Sequence, residues 1–261
     1  SKTSIASRSG ETAAANIGTN YRGTAFAGGC NMAVQEVVPG TVHAKDGSAP
    51  RLERAAGHRV PGSYGLLSRL SAWWMRRRGW RMEIAEPMPD KCVIIMYPHT
   101  SNWDFPIGLL TKWAVGLTLK RDALCFAGKE SLFKWPWGWF FRGVGGFPVN
   151  RKASTGFVEQ MAARFTAEPR MRFVIAPEGT RSYVPHMRSS FYYVAVAARV
   201  PIAMGAFDFP GKRVVVDTFL TPCGDAAADL SAIDGYYRQL GNRGCVPEKA
   251  APWKFRSGDG G

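Results

Sequence analysis

Cysteine is scarce and unpatterned in this chain. The five present in 261 residues, Cys30, Cys92, Cys125, Cys223 and Cys245, are odd in number, widely scattered and form no CxxC pair. That argues against a disulfide scaffold and against a cysteine-based zinc or redox motif, and it fits a reducing compartment. Long apolar runs are missing too: no stretch of about 18 apolar residues suggests a membrane span. The first residues lack the basic start and apolar core of a secretory signal, and "AGGC", ending at Cys30, has no apolar run before it to make a lipoprotein site. No helix-turn-helix signature, zinc-finger spacing or RNA-binding strand motif is found. Acid is short as well, with 20 Asp+Glu against 34 Lys+Arg, a net charge of +14. Such an excess calls for an anionic partner, and without nucleic-acid motifs a membrane surface or phosphorylated substrate is expected rather than nucleic acid.

What is present suffices for one substantial core: 46% of residues are hydrophobic and nine are tryptophan. Residues 1 to about 60 are rich in Ser, Ala, Gly and Thr and show no periodicity, so a disordered segment is expected there. The folded domain is expected over 61–243, followed by a flexible Gly/Pro-rich tail, 244–261. In "YGLLSRLSAWWMRRRGW" (64–80), Leu66, Leu67, Leu70, Trp73 and Trp74 fall within about 120° of helical arc, predicting an amphipathic helix that ends in arginines. Such a helix suits either a membrane interface or a domain core. "KCVIIMY" (91–97) and "MRFVIA" (171–176) read as buried strands. Helices are predicted over 105–119, 191–200 and 225–240, and further strands in "PIAMGAF" and "RVVVDTFL". This alternation predicts an α/β domain with a mainly parallel or mixed sheet flanked by helices.

Two polar stretches follow the two predicted strands, where α/β folds place their ligands. In "PHTSNWDF" (98–105), His99 and Asp104 would point about 140° apart on one continuous helix. Pro98 and Pro106 favour instead a bent loop and then a helix with Asp104 in its first turn. There the carboxylate can turn back to the imidazole, fixing its tautomer and freeing the second nitrogen to act as a general base. In "APEGTRS" (176–182), Glu178, the conformationally free Gly179, Thr180 and Arg181 make a candidate anion loop. "GGFPVNR" (145–151) adds Arg151, and both arginines offer a fork of donors suited to phosphate.

Four ordered blocks, "HTSNWD", "GGFPVNR", "PEGTRS" and "VPI" (200–202), resemble the signature of the glycerolipid acyltransferases that act on glycerol phosphate and lysophosphatidic acid. The resemblance runs from about residue 64 to 240 and departs from the usual pattern at Pro98, Asn150 and Ser190. It implies fatty acyl transfer from an acyl thioester donor, acyl-CoA or acyl-carrier protein as co-substrate, to a lysophospholipid acceptor, foremost 1-acylglycerol 3-phosphate. His99 would take the hydroxyl proton and Asp104 would orient it. Arg151 and Arg181 would hold the phosphate, with Glu178, Gly179 and Thr180 shaping that pocket. No metal or other cofactor is implied.

"SLFKWPWGWFFRGVGGF" (131–147) sets tryptophans and phenylalanines beside Lys134 and Arg142, which suits both core packing and a lipid interface. With a lipid substrate, the expectation is a cytoplasmic protein peripherally bound to the inner face of the membrane. A different lysolipid or aminolipid acceptor, or water in a thioester hydrolase, would use the same base. A non-catalytic lipid-binding protein would have no need for the pair and the anion loop in register.

Overall fold

The computed structural model describes residues 49–117, 124–149, 156–241 and 244–255, with the backbone of a short strand at Val34–Glu36. The rest of the segment 1–48, expected to be disordered, lies outside the described residues. Among the described residues the strands are β1 (Val34–Glu36), β2 (Arg51–Arg54), β3 (Gly57–His58), β4 (Arg81–Glu86), β5 (Lys91–Met96), β6 (Leu124–Lys129), β7 (Gly146–Val149), β8 (Met171–Ile175), β9 (Ile202–Asp208) and β10 (Arg213–Thr221). The helices are α1 (Leu66–Arg77), α2 (Asp104–Ala114), α3 (Gly138–Gly143), α4 (Phe157–Ala167), α5 (Ser190–Ala198) and α6 (Ala226–Leu240). β2 and β3 lie within the stretch to residue 60 where composition suggested no order. β2 is held there by backbone pairing with β10 across the chain, a contact that local composition does not reveal.

The main path through the sheet runs β1-β2-β10-β9-β5-β8-β6-β7. From β9 to β7 every neighbour is parallel, while β10 runs antiparallel to β9 and β2. The expected α/β domain with a mainly parallel or mixed sheet is therefore present. β5 sits between β9 and β8, and five of its six residues are buried. Its near-continuous apolar run reflects cover on both faces. Val93 and Ile95 enter a core with Phe173, Met204 and residues of α4, α5 and α6, whereas Cys92, Ile94 and Met96 enter a second core with α1 and α2. Side chains alternate across a strand, so one six-residue segment joins both layers.

One helix differs from expectation in its bounds, and for another the packing selects between the two readings left open. The helix predicted over 105–119 begins at Asp104 and ends at Ala114, where the chain turns at Val115 and Gly116 onto Tyr64. Helix α1 forms where its periodicity placed it, but its small residues face inward: Ser68, Ser71, Ala72 and Met75 are buried, and the Ser68 hydroxyl donates to the Ala114 carbonyl at 2.6 Å. Leu66, Leu67, Leu70 and Trp73 point outward, with Leu66 72% exposed. The close approach of α1 to α2 favours small side chains at the contact, leaving the large apolar stripe uncovered. No helix among the described residues is long and apolar enough to cross a membrane.

Candidate active site

Because β5 and β8 are parallel neighbours, with Ile95 opposite Ile175, the chain leaves both strands side by side. The two polar loops therefore meet at one sheet edge, although His99 and Glu178 are 79 positions apart. After β5, the His99 loop leads into α2, whose first residue is Asp104 and whose first turn accommodates Pro106. His99 Nδ1 lies 2.8 Å from Asp104 Oδ2, and that oxygen also accepts the Ser101 backbone N–H at 3.2 Å. The Asp104 side chain is 1% exposed and that of His99 21%. With Nδ1 engaged, Nε2 is the ring nitrogen left for a ligand, and His99 lines the large cavity beside it.

The loop after β8 turns at Gly179, whose φ of +66° favours glycine and whose N–H donates to the Ala176 carbonyl. The returning chain is tied by the Arg188 N–H to the Pro177 carbonyl, which brings the Arg188 side chain against Gly179. Arg181 and Arg188 line the cavity, and neither has a carboxylate in salt-bridge range among the described residues. Thr180 accepts the Ser182 N–H. Glu178 lines the same cavity, as the sequence suggested, and also reaches backbone on two segments. Only 4% exposed, it accepts backbone N–H groups from His99 (2.5 Å) and Ala251 (3.2 Å), and burial raises its carboxyl above the ordinary value.

The cavity measures about 1720 Å³, beyond the roughly 300–1,000 Å³ of an ordinary small-molecule pocket. Its lining is of two kinds. Met88, Ile94, Met96, Leu117 and Phe207 come from the core beneath α2, whereas Lys129, Arg181, His186 and Arg188 supply basic groups. Arg151, expected at the same pocket, lies outside the described residues. His186 and Arg188 were not among the sequence candidates; the signal available was a pair of basic residues in "HMR", just beyond the anion loop.

Residues 80–206, from the end of the α1 connection through most of β9, match the family model described as Acyltransferase. Over those residues the chain is an acyltransferase domain of the glycerolipid acyltransferase family. No curated protein and no solved structure matches it. In this acyltransferase Cys92, Cys125 and Cys223 offer poor nucleophiles at neutral pH: burial pushes the Cys92 thiol up to about 12 and those of Cys125 and Cys223 up to about 11. No group of three or more His, Cys, Asp or Glu side chains converges among the described residues to hold a metal ion. The acyltransferase cavity is thus lined by the imidazole–carboxylate pair together with apolar and basic side chains.

Proposed function

We propose that this acyltransferase moves a fatty acyl group from acyl-CoA or acyl-carrier protein to the free hydroxyl of 1-acylglycerol 3-phosphate, giving phosphatidic acid. The observation that carries this reading is the position of the His99–Asp104 pair, in a cavity apolar enough for acyl chains and basic enough for a phosphate. In the proposed reaction His99 Nε2 takes the hydroxyl proton as the oxygen attacks the thioester carbonyl carbon. Asp104 holds Nδ1–H and stabilises the imidazolium that forms. The tetrahedral oxyanion then collapses, the C–S bond breaks, and the departing thiolate takes the proton from the imidazolium. The products are ester and free thiol, and the base is restored. Arg181 and Arg188, with Arg151 in the same role, hold the acceptor's phosphate.

The exposed surface supports the reading that the protein binds peripherally to an anionic leaflet; the cytoplasmic face is part of the proposal. Trp135 is 92% exposed, and Trp103, Trp137 and Trp139 are also exposed. The outward stripe of α1 lies beside exposed Arg69, Arg76, Arg77 and Arg78. Indole and leucine at headgroup depth, next to cations, suit an interface from which a lysolipid enters.

The test is free-thiol release from a long-chain acyl-CoA with and without lysophosphatidic acid. Release that depends on the acceptor is the expected result. Release indifferent to acceptor would make the protein a thioester hydrolase, and none across a panel of lysolipids and acyl-carrier-protein donors would overturn the substrate assignment.

A further inference from the structure

The segment after α6 was expected to be a flexible tail, yet residues 244–255 run back across the two active-site loops. Its direct contacts flank His99 on both sides, at Tyr97 and Thr100. The Tyr97 hydroxyl donates to the Ala251 carbonyl at 2.7 Å. The Thr100 hydroxyl accepts the Val246 N–H at 3.1 Å, and a Cβ on Gly244 would run into that same threonine. Between them, Glu178 reaches both sides: one carboxylate oxygen accepts the His99 N–H and the other the Ala251 N–H. The segment is itself anchored. The Trp253 ring packs on Tyr97, Tyr237 and Phe191, and its indole N–H donates to the Leu230 carbonyl. The Met187 N–H donates to the Lys254 carbonyl, so the strap also grips the chain just after the anion loop.

We propose that residues 244–255 form a strap which, through Glu178, sets the position of His99, making Glu178 a positioning residue rather than a ligand for substrate. The inference rests on reading His99 as the base. Both Glu178 oxygens face N–H donors, a demand that a carboxylate meets and a carboxamide cannot, since one end of the amide is itself a donor. Charge-assisted bonds of this kind are short and directional. Burial makes the carboxylate costly to keep, and a group retained at such a cost against two backbone segments fixes their separation. The strap also lies beyond the matched residues 80–206, so the brace on His99 comes from outside the family domain.

The test uses the full chain and two substitutions that leave the imidazole and Asp104 untouched. Ala251→Pro deletes one N–H, and Glu178→Gln spoils one of the two bonds. Expected for Ala251→Pro is a kcat about 10-fold lower with KM within about two-fold, because sub-ångström misplacement of a reacting group slows chemistry before it weakens binding. Glu178→Gln is expected to lower kcat by about 10- to 100-fold. The double variant is expected to be no slower than Glu178→Gln alone, since both changes break one relay. Independently of turnover, the His99 backbone amide resonance should move upfield and lose exchange protection in both variants. Ala251→Pro with wild-type kcat and an unmoved His99 amide would overturn the proposal, whatever happens to melting temperature. Should Ala251→Pro fail to fold, Thr100→Val cuts the neighbouring tie to Val246 and is read in the same two ways. If the wild type transfers no acyl group, the reading of His99 falls, and the amide signal still decides whether the strap positions that residue.

Discussion

Two buried acids stand one loop apart and do opposite things. Asp104, after β5, turns its carboxylate to a side chain, the His99 imidazole; Glu178, after β8, turns its own to backbone, the N–H groups of His99 and Ala251. In the proposed reaction one sets the chemistry of the base and the other its place. A buried carboxylate is therefore not assigned by its motif alone: what matters is which donors reach it. Asp104 keeps one oxygen, Oδ1, without a hydrogen-bond partner among the described residues, whereas both Glu178 oxygens are taken.

The sharpest way to break this contrast is to remove charge at Asp104. Asp104→Asn should reduce kcat by about 10³-fold or more, because an amide no longer fixes the ring tautomer or stabilises the imidazolium. A loss close to that of Glu178→Gln would erase the distinction between the two acids. Next in size, Arg181→Ala is expected to raise KM for a phosphate-bearing acceptor by about 10- to 100-fold while sparing kcat, the worth of a charged hydrogen bond of about 1.5–3 kcal/mol. Steady-state kinetics with and without the acceptor phosphate reads it directly.

A smaller effect separates the acids by pH. Burial lifts the Glu178 carboxyl above its ordinary value of 4.5, so the folded state holds that proton more tightly than the unfolded chain does. Stability from this group is full below about 4.5 and declines as pH rises through the raised value, the sign that linkage requires. Melting temperature followed against pH should fall less steeply over that window in Glu178→Gln than in wild type. The slope will not vanish, because burial raises Asp229 in the same direction. Smallest for stability is the exposed surface: Trp135→Ser with Trp139→Ser should leave melting within about 0.5 kcal/mol. Sedimentation with anionic vesicles should nonetheless show weaker binding, and unchanged binding would remove these tryptophans from the interface.

Much of this was legible in the sequence. β5 and β8 declared themselves by apolar β-branched runs, and the prolines around "HTSNWD" placed Asp104 in a first turn, within reach of His99. Such features are local, governed by periodicity and backbone restriction. What escaped depends on distant partners. The direction taken by Glu178 is decided by Ala251, 73 positions away. The outward stripe of α1 was equally hidden, because periodicity gives an apolar face without saying whether small residues on the other side pack more closely on α2. The strap looked like a tail because glycine and proline weaken local propensity, while its order comes from Trp253 packing on three rings.

The central claim, that His99 is the base of an acyl transfer, is tested most directly by following labelled acyl groups from acyl-CoA into phosphatidic acid, comparing wild type with folded His99→Ala. The account predicts lysophosphatidic-acid-dependent product from the wild type and a loss of about 10²- to 10⁴-fold in the variant, the usual worth of a general base. Undiminished product from His99→Ala would contradict it.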